Sequence, residues 1–162
     1  MPSDVQNPPI PHSRPLEWEA VRSIPVRECS EPLVMASLLP DTILVRPQYY
    51  LQQLEHALPE CFVRESVWDR LVTAADHLPA GHRLVILDAW RPVSLQRVLF
   101  NTYLGELSAH SPNLEQRELE ELAQRYVDKP SDDPDRASLH ATGGAVDVHI
   151  ADPRGRLLDM GT

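Results

Sequence analysis

The sequence predicts an α+β domain in which a small, mainly antiparallel sheet packs against helices. Three observations predict it. Apolar residues recur at helical spacing over 47–58, 65–78, 94–107 and 114–127. Residues 84–87 are a short continuous apolar run, and residues 145–150 alternate with period two, as a buried and a half-buried strand do. The chain of 162 residues is the size of one domain, with 42% hydrophobic and 24% charged residues, so a single packed core is expected. No stretch approaches the ~20 apolar residues of a membrane-spanning helix. A net charge of −9 repels phosphate backbones and anionic lipid surfaces, which argues against nucleic acid and membrane partners.

The elements follow in order. Residues 1–16 hold five prolines and little that can pack, which predicts a Pro-rich N-terminal arm preceding a domain over 17–162. Short β-branched runs at 20–26 and 42–45, bounded by proline, suit edge strands. Pro47 opens a helix carrying Tyr50, Leu51, Leu54, Ala57 and Leu58, which Pro59 stops. The next helix, 65–78, aligns Val67, Leu71, Ala74, Ala75 and Leu78 before Pro79-Ala80-Gly81. The apolar strand 84–87 delivers Asp88-Ala89-Trp90-Arg91-Pro92, and a helix with Leu95, Val98, Leu99 and Tyr103 on one stripe follows over 94–107. After the Glu-rich helix 114–127 comes a charged loop at 129–136, then the strand at 145–150. Asp152-Pro153-Arg154-Gly155 is a turn signal that predicts a hairpin, with 156–159 pairing back.

Chemistry concentrates in Ser138-Leu139-His140-Ala141-Thr142-Gly143-Gly144-Ala145-Val146-Asp147. An imidazole and a carboxylate seven residues apart, joined through a Gly-Gly loop, can fold back onto one ion, and both are ordinary zinc ligands. A bare His-x6-Asp spacing means little by itself, and an isolated histidine is more often a surface or core residue. The two cysteines, Cys29 and Cys61, form neither a CxxC zinc motif nor a disulfide framework, which fits a reducing compartment. The polar opening of the chain lacks a secretory signal, so a cytoplasmic location is expected.

The pattern SxHxxGxAxD from Ser138 to Asp147 resembles the signature of the zinc D,D-peptidases, which include D-alanyl-D-alanine dipeptidases of the vancomycin-resistance type. Asp88-Ala89-Trp90-Arg91-Pro92 is similar to their D-x-[YW]-R-P segment, and Asp159-Met160-Gly161-Thr162 to the start of their M-G-[ST]-x-F-D segment. The resemblance spans 84–162 and is loose before that. It implies that His140 and Asp147 are two of three zinc ligands, that Arg91 stabilises the oxyanion of the tetrahedral intermediate, and that Ser138 binds substrate. For Arg91 the alternative is a structural ion pair with Asp88; for Ser138 it is a turn or cap residue.

Two departures accompany the resemblance. The family's third ligand and catalytic base sit in a Glu-x-x-His element beyond the M-G-[ST] segment, and no Glu-x-x-His occurs in this chain. The expectation is therefore a site completed by a segment beyond Thr162, on a second chain or a continuation, with residues 1–162 inactive alone. His149 stands where the dipeptidases usually carry Thr; it either lines the pocket and alters the substrate or faces a neighbouring strand or solvent. The expected activity is zinc-dependent hydrolysis of a small D-amino-acid dipeptide. Its rivals are a related zinc amide hydrolase of cell-wall or specialised metabolism and a non-catalytic scaffold.

Overall fold

The computed structural model describes Ala20 and residues 23–160; the arm expected at 1–16 lies outside the described residues. Strands β1 (Leu33–Met35), β2 (Ile43–Val45), β3 (Phe62–Arg64), β4 (Arg83–Asp88) and β5 (Asp147–Ala151) alternate with helices α1 (Gln48–Leu51), α2 (Glu65–Asp76), α3 (Val93–His110) and α4 (Gln116–Ala123). The architecture is α+β, with strand directions mixed. One sheet is the antiparallel pair β1–β3; the other has the order β2-β4-β5, with β2 parallel and β5 antiparallel to β4.

Strand β4 is central because its residues leave no polar face. Leu84, Val85 and Ile86 are all buried, and it pairs with a neighbour on each side. Ile86 joins Ile43, Val63, Ala75, Cys61, Leu84 and Ala89 in the core, against which Trp68, Leu71 and Val72 of α2 pack. The apolar stripe of α2 thus covers the sheets, and Glu65 in its first turn complements the positive end of the helix dipole. Helix α4 begins with a reciprocal capping box, in which Glu115 and Glu118 satisfy each other's backbone N–H groups. The hairpin after β5 forms as expected. Asp152 accepts from the backbone of Arg154 and Arg156, Gly155 takes φ +80°, and Leu158 N–H donates to Ile150 O.

Three expectations are corrected. The helix expected over 47–58 is only the single turn α1, because Gln53 and His56 adopt φ of +59° and +64° and unwind the chain. No strand forms among the described residues of 20–26, where Pro25 removes a ladder donor. The helix expected over 114–127 is shorter, ending at Ala123 and continuing as turns. No helix among the described residues is long and apolar enough to cross a membrane.

Candidate functional site

The site forms where β4 ends against β5. The register slips between Ile86 and Asp88, and this irregularity sets Asp88 opposite Asp147. Two like charges across a strand pair repel. Arg91 lies between them: its Nε and Nη2 donate to Asp88 Oδ2 at 3.0 and 2.5 Å, and Nη2 lies 3.9 Å from Asp147 Oδ2. The expected alternative for Arg91, an ion pair with Asp88, is therefore present, in a side chain that also lines the cleft.

His140 sits in a 3-10 turn, Leu139–Thr142, strapped to the end of β4 by consecutive residues. Arg91 N–H donates to His140 O at 3.2 Å, Trp90 Nε1–H donates to Ala141 O at 3.1 Å, and His140 Nδ1 lies 2.8 Å from Ala89 O. A carbonyl oxygen only accepts, so this contact places the imidazole proton on Nδ1 and leaves the Nε2 lone pair free. Nε2 lies 3.7 Å from Asp147 Oδ1. The chain returns to β5 through Gly143 at φ +75°, where a Cβ would come within 2.7 Å of Leu33 Cδ2. Arg64 holds the same return, its backbone N–H bonding Gly143 O and its Nε–H bonding Thr142 O.

Asp88, His140 and Asp147 offer ligand atoms that all lie within 4.8 Å of one another, a cluster able to hold a metal ion. Within it the groups divide by position. Asp88 Oδ2 is held by Arg91 and faces His140 Nδ1 at 3.2 Å, on the side of the ring away from the free lone pair. Asp88 therefore orients the ring, as carboxylates commonly do behind a ligating histidine. His140 Nε2 and Asp147 Oδ1 fit an ion: two ligands of a tetrahedral ion at ~2.0–2.2 Å lie about 3.4 Å apart, close to the separation seen. Burial pushes the Asp88 carboxyl upward from its ordinary pKa, and the Arg91 charge and hydrogen bonds oppose that shift.

The cleft beside this pair is lined by Arg91, Ser138, His140 and Asp147 together with Tyr49, Gln96, Leu99, Tyr103 and Tyr126. Ser138 is buried, precedes the His140 turn and does not cap it through its side chain. His149 does not line this cleft: its Nδ1 accepts from Ile150 N–H at 2.9 Å, and its residue pairs with Val85. Sequence reasoning missed Gln96, which is 1% exposed. Its Oε1 accepts from Arg91 Nη1 and its Nε2 donates to Asp128 O, both at 2.6 Å, so it fixes the guanidinium from the side opposite Asp88. The available signal was its place four residues before buried Phe100 on an otherwise apolar helix face. Tyr49 was missed too. Its ring lies 5.0 Å from Arg91 Cζ, and burial pushes its phenol upward in pKa.

Fold and site together define an α+β domain with a possible metal-holding cluster beside a buried arginine. The chain is similar to a curated D-alanyl-D-alanine dipeptidase of Synechocystis sp., with 26% identity in an alignment 154 positions long that takes in 86% of this chain and 61% of that protein. The match thus spans about three-fifths of the relative's length. No family profile matches the chain. No solved structure matches it either.

Proposed function

We propose that this chain carries part of the active site of a zinc-dependent hydrolase of small D-amino-acid dipeptides such as D-alanyl-D-alanine. The observation that carries the reading is the approach of His140 Nε2 to Asp147 Oδ1 at 3.7 Å, in the cleft that Arg91 lines. The distant dipeptidase relative supports the same class of reaction. His140 and Asp147 would hold the ion, and Asp88 and Ala89 O would fix the imidazole. When bound, zinc supplies Lewis acidity towards the scissile carbonyl and lowers the pKa of water. Arg91, held by Asp88 and Gln96, would face the oxygen on which negative charge develops, and Ser138 would bind the substrate backbone.

Catalytic zinc sites use three protein ligands, and hydrolysis needs a base for the water. In this reading a Glu and a His from beyond Thr162, on a continuation or a second chain, supply them. Residues 17–162 then form the dipeptidase-like domain, and the two free cysteines suit a reducing cytoplasm.

Incubating the zinc-loaded protein with D,D-, L,D- and L,L-dipeptides tests the reading, with native mass spectrometry to reveal any second chain. Release of free D-amino acids that disappears in His140→Ala and Asp147→Asn is expected from the completed enzyme. Residues 1–162 alone should bind zinc weakly and release none. A completed protein that binds zinc yet cleaves no dipeptide would overturn the proposal in favour of a non-catalytic scaffold.

A further inference from the structure

The cleft has a volume of about 480 Å³, within the ~300–1,000 Å³ common for sites that enclose drug-sized ligands. Two alanine methyl groups, with the Glu and the His that the proposed function brings to the metal beside His140 and Asp147, would leave its Tyr103 end to water. Its wall extends along α3, where Gln96, Leu99, Tyr103 and Glu106 line it at successive turns. Gln96 touches Arg91, and Tyr103 lies seven residues further on, roughly 10 Å at a helical rise of 1.5 Å per residue. One residue of an extended peptide spans at most ~3.6 Å, so a methyl side chain near Arg91 falls short of that wall.

The far wall is aromatic. Tyr103 and Tyr126 meet edge to face, with centroids 5.8 Å apart and planes at 63°. Tyr126 is nevertheless 77% exposed, and Leu139 of the same cleft is 43% exposed. This is apolar surface whose cover by a ligand is favourable, and it is continuous with the cluster formed by Arg91, His140 and Asp147.

We infer that the substrate carries a large apolar side chain, aromatic by preference, resting on Leu99, Tyr103 and Tyr126, so that the favoured dipeptide is bulkier than D-alanyl-D-alanine. The inference rests on the dipeptide-hydrolase reading and specifies its substrate.

Steady-state kinetics of the zinc-loaded, complete protein on D-alanyl-D-alanine, D-alanyl-D-phenylalanine and D-phenylalanyl-D-alanine test it, with the affinity of each read from its KM or from its Ki against a cleaved dipeptide. At least one phenylalanine-bearing dipeptide should bind roughly tenfold or more tightly than D-alanyl-D-alanine, the scale on which a pocket senses added apolar groups. Tyr126→Ser, at an exposed position, should remove most of that preference, with Tyr103→Leu as a second variant and circular dichroism confirming both folds. Equal affinities, or tightest binding of D-alanyl-D-alanine, would overturn the inference and leave the dipeptide reading standing. A preference that survives in both folded variants would also overturn it, by removing the wall from the argument. If no dipeptide binds, the dipeptide reading itself fails, and this inference with it.

Discussion

Arg91 holds Asp88 and Gln96 with the same guanidinium that the proposed function assigns to the oxyanion, so its replacement has two expected consequences that a well-chosen pair of variants separates. Its guanidinium has five N–H donors, of which Nε and Nη2 engage Asp88 and Nη1 engages Gln96. Arg91→Ala leaves the buried Asp88 carboxylate without its partner, a loss on the order of 3–5 kcal/mol for a broken buried pair. Arg91→Lys keeps the charge but not the fork. If the proposed hydrolysis holds, both should lower kcat of the complete protein by roughly 10²–10³, the scale of a lost oxyanion donor. Only the alanine variant should show the larger fall in urea midpoint, so turnover and unfolding curves measured together check the division of roles. An unchanged kcat in a folded Arg91→Lys protein would leave Arg91 only the ion pair with Asp88. The cysteines give a second residue-scale prediction. Burial pushes the Cys61 thiol up to about 12, whereas Cys29 is exposed. Because the thiolate is the reactive form, a thiol reagent near neutral pH should modify one cysteine rapidly in the native chain and a second only in denaturant. Mass spectrometry of the early adduct should locate it on Cys29.

At the scale of elements, the return after His140 depends on one backbone conformation. Gly143 is left-handed, and a Cβ there also meets Arg64 Cγ at 3.2 Å. Gly143→Ala should therefore cost about 1–3 kcal/mol through backbone strain, and should weaken metal binding because the turn positions His140 relative to β5. Chemical unfolding and a zinc titration of the same variant check both effects. Sequence patterns reached the elements that bury one face or run apolar throughout: residues 65–78, 84–87 and 94–107 contain most of α2, β4 and α3. Strands β1 and β3, of three residues each, are too short to display an alternation and take their identity from pairing with each other. The segment 47–58 carried helical spacing, yet Tyr50 and Leu51 are exposed and two left-handed residues break the helix behind them. A similar limit applies to the site. His140, Asp147 and Arg91 stood out because they lie in compact motifs. Gln96, Tyr49 and Tyr126 reach the cleft only because α3, α1 and the turns after α4 converge there, and one-dimensional spacing does not encode that convergence.

For the whole molecule, the site joins parts of the chain far apart in sequence, since residues 83–91 are strapped to 138–142 and paired with 147–151. His140 and Asp147 approach each other only in the folded state, so a metal ion held between them stabilises the fold as a whole. The linkage relation gives about 2.7 kcal/mol when free metal reaches a hundred times its Kd. At ~2–4 °C per kcal/mol for a chain of this size, the unfolding midpoint should then rise by roughly 5–10 °C. A pair of ligands binds less tightly than a complete set, so for residues 1–162 the rise should begin only with zinc in large excess over the protein rather than near one equivalent. His140→Ala and Asp147→Asn should each abolish it, and EDTA should return the wild-type midpoint to that of the metal-free protein. Thermal melts at stepped zinc concentrations measure all of these effects together. A rise of the same size in both variants would place the ion elsewhere on a chain with 24 acidic residues, and would remove His140 and Asp147 from the metal centre.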